Sequence, residues 1–401
     1  MSAAPAYVDE IRPSALSKLA LPAAALALLG LGIGLATGDA DTFWRAFHVN
    51  YLYFGVLAQG AVVLSCIFTI VGAKWPGPVR RLAESLGAWT VVTPFLFLLD
   101  WWVGRTHIYP WLPVFEHKAE WLNEGRLVAW DLTIFVVLAI LSQVFLAASR
   151  KLATPGASAD EKESARVRMK NLAPLICLAY AFGWSFVCFD QVMSLTPTWF
   201  SNLFGAFFAW GGLLSAVTAT TVLAVFHRAH PGLEGEITRE RLHDLGKLIF
   251  AFSIFWMYLF FSQYLVIWYG NLPEETQFFQ ARLGSHFLMD SWYWQGWWDR
   301  LGEPWVKISL LAWICIWVIP FWFLLGQVPK KTWWWIGPVA CVSLFGFWLE
   351  RNVLIWPSLV PGDSFAFVGL AQIAIALGFL GAFALVSMLY RSRFMALPVK
   401  H

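Results

Sequence analysis

The stretch Asp244–Thr276, DLGKLIFAFSIFWMYLFFSQYLVIWYGNLPEET, decides the fold. It is apolar from Leu248 to Tyr269, long enough to cross a bilayer, since a helical span takes about 20 residues. Polar groups interrupt it regularly. At roughly 100° per residue, Lys247, Tyr258, Ser262 and Tyr269 fall in a stripe about 60° wide on one helix face. Asn271-Leu272-Pro273 then ends the helix, and Glu274 and Glu275 follow. One reading of the stripe is hydrogen bonding between helices, with Lys247 reaching to the membrane interface. The other is a hydrated polar path into the membrane.

Outward from this run the chain holds nine more apolar segments, giving ten candidate spans. Spans one to six are Leu19–Thr37, Phe47–Ala73, Ala83–Val103, Leu127–Ser149, Leu172–Leu195 and Trp199–Phe226. The opening stretch is span seven; Trp305–Leu325, Trp333–Ile355 and Phe365–Tyr390 are spans eight to ten. The polar segment Arg150–Asn171 reads as a hinge between halves. Span one reads as a retained helix, with cleavage near Ala40 the alternative. With the N-terminus placed in the cytoplasm, only Arg45, Arg105, Lys118, Arg126, Arg282 and Arg300 fall in the outer loops. Most other Lys and Arg residues lie in the cytoplasmic segments, so the positive-inside bias supports ten spans with both termini cytoplasmic. The outer loops, Gly104–Arg126 and Asn271–Pro304, are the long ones. Trp292, Trp294, Trp297 and Trp298 read as an interfacial belt or as a docking floor for an outer partner.

Composition agrees. Hydrophobic residues are 59% and charged residues 13%, far from the roughly 25% charged of a soluble domain. No charge-dense half or basic tail exists, so nucleic acid is not an expected partner. Cys66, Cys177, Cys188, Cys315 and Cys341 lie in apolar runs and form no CxxC or CxxCH motif. Cysteine-ligated iron–sulfur or zinc sites and covalent haem are therefore not expected in this chain. Among the histidines only His48 sits near the start of a span, so no facing pair for a b-type haem is visible. The expectation is that the chain itself binds no metal or haem.

Ionisable groups inside spans cost about 2.5–3.5 kcal/mol each on insertion scales and call for a reason. The candidates are Asp100, Asp131, Asp190, Lys247, Lys307, Glu350 and Arg351. Asp131 and Lys307 lie within two turns of the outer surface and can be interfacial. Asp100, before Trp101 and Trp102, can cap an aromatic belt. Asp190 is deeper. Glu350 and Arg351 are about 100° apart on one helix, so each is expected to pair with another helix, for example at Asp190 or Asp100. Carboxylates in apolar surroundings can exchange protons near neutral pH, which suits proton transfer. The proton path expected from these residues has an outer part, Asp100, Asp131, Asp190, Glu350 and Arg351, and an inward part, Lys247, Tyr258 and Ser262.

The segment LGKLIFAFSIFWMYLFFSQYLVIWYGNLPEET resembles the signature helix of the NrfD-like integral membrane subunits of alternative complex III. It is most similar to the second, ActF-type subunit, and SQYLVIWYGNLPEE is the specific part. The resemblance implies a quinol:electron-acceptor oxidoreductase of a bacterial inner membrane. It also implies an all-α fold of ten helices, with two four-helix bundles at residues 47–196 and 197–357. Peripheral helices at 1–46 and 358–401 complete it. Implied partners are an NrfD-like sister subunit, an iron–sulfur subunit, multihaem cytochrome c subunits and lipid. Haem c and iron–sulfur clusters would sit in those subunits, and menaquinol or another quinol would serve the complex. The family's quinol-binding member is expected to offer a histidine with nearby aspartate. Spans three to five here hold no histidine, so a proton path or conformational coupling is the expected contribution. A quinol-binding catalytic subunit and a structural scaffold are the alternatives.

Overall fold

The structure, a computed structural model, describes residues 13–154, 156–229, 233, 235–284 and 301–394. Among the described residues it is all-α, and ten helices are long and apolar enough to cross a membrane. They are Ala20–Thr37, Ala40–Ile70, Pro78–Ile108, Glu124–Ala153, Ala159–Leu195, Asn202–His227, Arg239–Gly270, Val306–Phe323, Trp333–Leu359 and Leu370–Arg391. These are spans one to ten. The four interfacial tryptophans expected at 292–298 lie outside the described residues.

Several helices outrun their apolar cores. The segment Arg150–Asn171 is not a hinge. Span four continues to Ala153 and span five begins at Ala159, so little but 154–158 remains as a joint. Its Ala, Glu, Lys and Arg are good helix formers, and helices need not stop at the membrane surface. Ser158 closes the start as a capping box: its Oγ accepts from the Glu161 amide at 3.2 Å, and its own amide donates to Glu161 Oε2 at 3.0 Å.

Span two is the hub. It is buried on every side from Ala46 to Cys66 and packs on spans three, five, six, nine and ten. A helix apolar all round belongs in an interior. Spans one and ten form an antiparallel pair at the edge, with Gly30 against Gly378 and Gly381 against Ala23 and Ala27. Small residues at such crossings let backbones approach closely.

Two spans are irregular. Span eight has a wide π-type turn at Ile314–Val318, just before Pro320, which lacks the N–H that a regular helix would offer to Ile316. Span three tightens at Gly87–Val91 and widens into a π-type turn at Asp100–Gly104. Span seven ends as its sequence reads: Asn271 takes a left-handed conformation, φ 48°, and Pro273 opens a short helix to Leu283.

Candidate proton-handling site

The polar residues of spans two to five converge near the end that carries the long loops. The turn at Asp100–Gly104 makes this possible. Gly104 lies against Trp44, where a Cβ would come within 2.7 Å of the indole, so span three closes onto span two. Asp100 Oδ2 then meets His48 Nδ1 at 2.8 Å, and both residues are fully buried. His48 Nε2 lies 2.9 Å from the Gln191 carbonyl, which is freed where span five ends. A carbonyl can only accept, so Nε2 carries a hydrogen. Nδ1 and Asp100 must then hold one proton between them, as imidazolium–carboxylate or as imidazole–carboxylic acid.

The same end of span five supplies a second group. The Gln191 amide donates to Asp131 Oδ2 at 2.7 Å, and Arg126 donates to Asp190. Arg126 is fixed by its Nε–H bond to the Trp121 carbonyl at 2.7 Å and lies 3.9 Å from the Trp121 ring. The Asp131 and Asp190 carboxyls adjoin each other, and Asp131 Oδ1 and Asp190 Oδ2 take no hydrogen bond. One proton shared by the two carboxyls would satisfy both oxygens and leave one negative charge opposite Arg126. Around the whole cluster stand Tyr51, Tyr109 and Trp101, all buried.

At the opposite end of spans two to four, Glu84 is fully buried. Its Oε1 accepts from Ser65 Oγ at 2.8 Å and from Ser149 Oγ at 2.7 Å, and Arg81 stands 3.4 Å from Oε2. Between the two ends are isolated polar rungs, Gln59 to Ser142 at 2.9 Å and Gln143 to Thr90 at 3.1 Å. From His48 to Ser65 along span two is about 25 Å at 1.5 Å per residue, most of a hydrocarbon core.

The expected residues divide accordingly. Asp100, Asp131 and Asp190 come together and are wholly buried rather than interfacial. Glu350 and Arg351 lie elsewhere, between spans six, seven and nine, and they pair with each other at 2.5 Å. This corrects the expectation of partners on other helices. The arginine side chain is long enough to fold back across the 100° between neighbours. Its other end donates to the Phe208 carbonyl at 3.0 Å and packs 3.8 Å from the Phe208 ring. Asp190 and Asp100 are already taken by Arg126 and His48. Lys247, Tyr258 and Ser262 share a face, but that face points outward. Tyr258 is 60% exposed, Ser262 half-buried, and Lys247 pairs with Asp244 at 2.5 Å on the surface. The buried face of span seven is the other one, with Trp256, Leu259, Gln263 and Ile267. Lys307 is exposed.

Sequence reasoning passed over His48, Arg126, Gln191 and Glu84. His48 and Asp100 are the histidine–aspartate pair that spans three to five alone do not offer. The histidine comes from span two.

No family model and no curated protein matches the chain. Among solved structures, the bd oxidase from Geobacillus thermodenitrificans superposes on 91% of this chain and 99% of its own, with a TM-score of 0.52 and 11% sequence identity. At that identity the likeness is one of fold. The chain is a multi-pass membrane protein with the helical architecture of a bd oxidase chain.

Proposed function

We propose that this chain is an integral membrane subunit of a quinol:electron-acceptor oxidoreductase of the alternative complex III type, and that it contributes a proton path through spans two to five. The observation that carries this reading is the charge count of the buried cluster. Asp100, Asp131 and Asp190 face one guanidinium, Arg126, and one imidazole, His48. Fully ionised carboxylates with a neutral His48 would leave two negative charges out of water, which costs several kcal/mol per unpaired ion. Two protons held by hydrogen-bonded partners remove that cost. Such a cluster can accept and release protons without changing its packing.

Glu84 is the counterpart at the terminus end, and the Gln59–Ser142 and Gln143–Thr90 rungs lie between. The charge bias supports a cluster on the outer side of a bacterial inner membrane and both termini in the cytoplasm. The fold shared with a bd oxidase supports a respiratory setting. Redox centres belong to the partners: an iron–sulfur subunit, multihaem cytochrome c subunits and an NrfD-like sister. The grouping at 47–196 and 197–357, with 1–46 and 358–401 outside, makes the first bundle the proton-handling unit. Glu350 and Arg351 form a self-contained ion pair in the other bundle. Lys247, Tyr258 and Ser262 join a path only where a partner subunit covers them.

The test uses the assembled complex. Asp190→Asn and His48→Gln are expected to lower proton release per quinol oxidised, with haem reduction by a chemical donor unchanged. Proton release and quinol oxidation at the unsubstituted level in both variants would sink the proposal. A second reading, a quinol-binding subunit, draws on the His48–Asp100 pair, which could take a quinol's proton. Photolabelling of span two or span three by an azidoquinone favours it; the complete sealing of both side chains favours the path.

A further inference from the structure

Spans seven and eight part toward the long-loop end. Span seven packs on the far part of span eight, Ile314–Phe323, but scarcely on the near part, Val306–Trp313. A cavity of about 540 Å³ fills the gap, closed behind by span nine and the Pro273–Leu283 helix. Its size lies within the usual range for sites of small organic ligands. The wall is mostly aromatic, with Phe207, Trp256, Phe260 and Phe279 prominent. The Trp313 indole N–H donates to Met257 Sδ at 3.1 Å across one part of it. Phe261, also on the wall, is 48% exposed on the outer surface of span seven, so the cavity borders the lipid side.

Among the described residues, one charge on this wall has no charged partner. Arg282 is buried. Its Nη1 donates to the Phe278 carbonyl at 2.8 Å, and its Nη2 to the Leu354 carbonyl at 2.7 Å and Ser358 Oγ at 2.8 Å. The guanidinium lies 3.4 Å from the Phe278 ring centre. Every one of these partners is neutral, and Nε–H has none. No carboxylate among the described residues lies within ion-pair distance of Arg282. Glu350 is the one acid among the described wall residues, and it is taken by Arg351. The described wall residues therefore carry one net positive charge. A buried cation held rigidly by neutral acceptors, with a donor left over, is an anion site.

We propose that this cavity binds an anionic amphiphile, with its hydrocarbon chain among the aromatic side chains and its carboxylate or phosphate oxygen on Arg282 Nε–H. Entry from the lipid side suits such a molecule, and the position of Arg282 beside Ser358, near the end of span nine, suits its headgroup. The site is separate from the His48 cluster, so the two proposals fail independently.

The experiment labels the full chain in mild detergent with three diazirine probes: palmitate, phosphatidylglycerol and the uncharged diacylglycerol. The acidic probes are expected to label peptides around Met257 and Leu310 at least about tenfold more than diacylglycerol, which has no anionic oxygen, the worth of one charge-assisted hydrogen bond. Stronger palmitate labelling identifies a free fatty acid, and stronger phosphatidylglycerol labelling a phospholipid. Arg282→Gln is expected to remove the preference and Arg282→Lys to keep part of it. Leu310→Trp, which fills the cavity without touching the guanidinium, is expected to suppress labelling by all three. Equal labelling by diacylglycerol, a preference that survives Arg282→Gln, or labelling indifferent to Leu310→Trp overturns the proposal.

Discussion

Spans two to five and spans six to nine bury charge in opposite ways. In the first group, three carboxylates share one arginine and one histidine, and the shortfall in positive charge has to be met by protons. In the second group, Glu350 and Arg351 neutralise each other, and Arg282 stands apart beside a cavity. The first arrangement changes protonation state easily, because a proton can move without any side chain losing its last partner. In the second, protonating Glu350 would leave the buried Arg351 with neutral acceptors alone, the Phe208 carbonyl among them. A proton-handling region and a ligand-holding region can thus sit side by side in one helical bundle.

The largest effect that would break this comparison comes from the histidine–aspartate pair. His48→Leu leaves Asp100 buried without its partner, and the expected loss of stability is about 3–5 kcal/mol. Replacing both residues, as His48→Leu with Asp100→Leu, should cost less than the sum of the single changes, by at least about 1 kcal/mol. Unfolding of the detergent-solubilised chain by denaturant, read by tryptophan fluorescence, measures both. Additive single and double variants would mean that the pair is not coupled.

Next comes Glu350→Gln. Glutamine keeps an acceptor for the Arg351 guanidinium, which also retains the Phe208 carbonyl and ring, so the expected cost is about 2 kcal/mol. In the assembled complex this variant should leave proton release close to normal while Asp190→Asn lowers it. Equal loss in both would erase the distinction between the two groups. Arg126→Gln is expected to cost about 2 kcal/mol, because the buried Asp190 loses its charged partner but can take up a proton in its place. Its sharper signature is a change in the pH dependence of proton release, as the one guanidinium balancing Asp131 and Asp190 is lost.

How much of this was legible depended on whether a residue's neighbours could be read from its own helix. The ten spans follow from apolar runs, and Asp100, Asp131, Asp190, Glu350 and Arg351 stand out because each interrupts such a run. Their partners do not. His48 lies near the start of an apolar run, yet the helix starts at Ala40 and carries it into the interior. Arg126 counts as a loop residue until the cap at Asn123 makes it the first turn of span four. Glu84 is the second residue of the apolar segment Ala83–Val103, at its edge, yet the helix begins earlier, at Pro78, and carries it inward. The π-type turn that aims Asp100 at His48 has no signature in DWWVG. The direction of a face is likewise set by neighbours: periodicity put Lys247, Tyr258 and Ser262 together but could not say whether they point in or out.

The smallest predicted effect tests that last point. Tyr258→Phe and Lys247→Met remove polar groups from the outward face of span seven, and neither hydroxyl nor ammonium is held by a buried partner. Surface substitutions of this kind usually change stability by less than about 0.5 kcal/mol. In the isolated chain both variants should therefore unfold with the unsubstituted protein. In the assembled complex the same pair discriminates further. If a partner subunit covers span seven, Tyr258→Phe should weaken its retention during purification while leaving the His48 cluster untouched. Loss of proton release with full subunit retention would instead return the outward stripe to the proton path and shift that path from the first group of spans to the second.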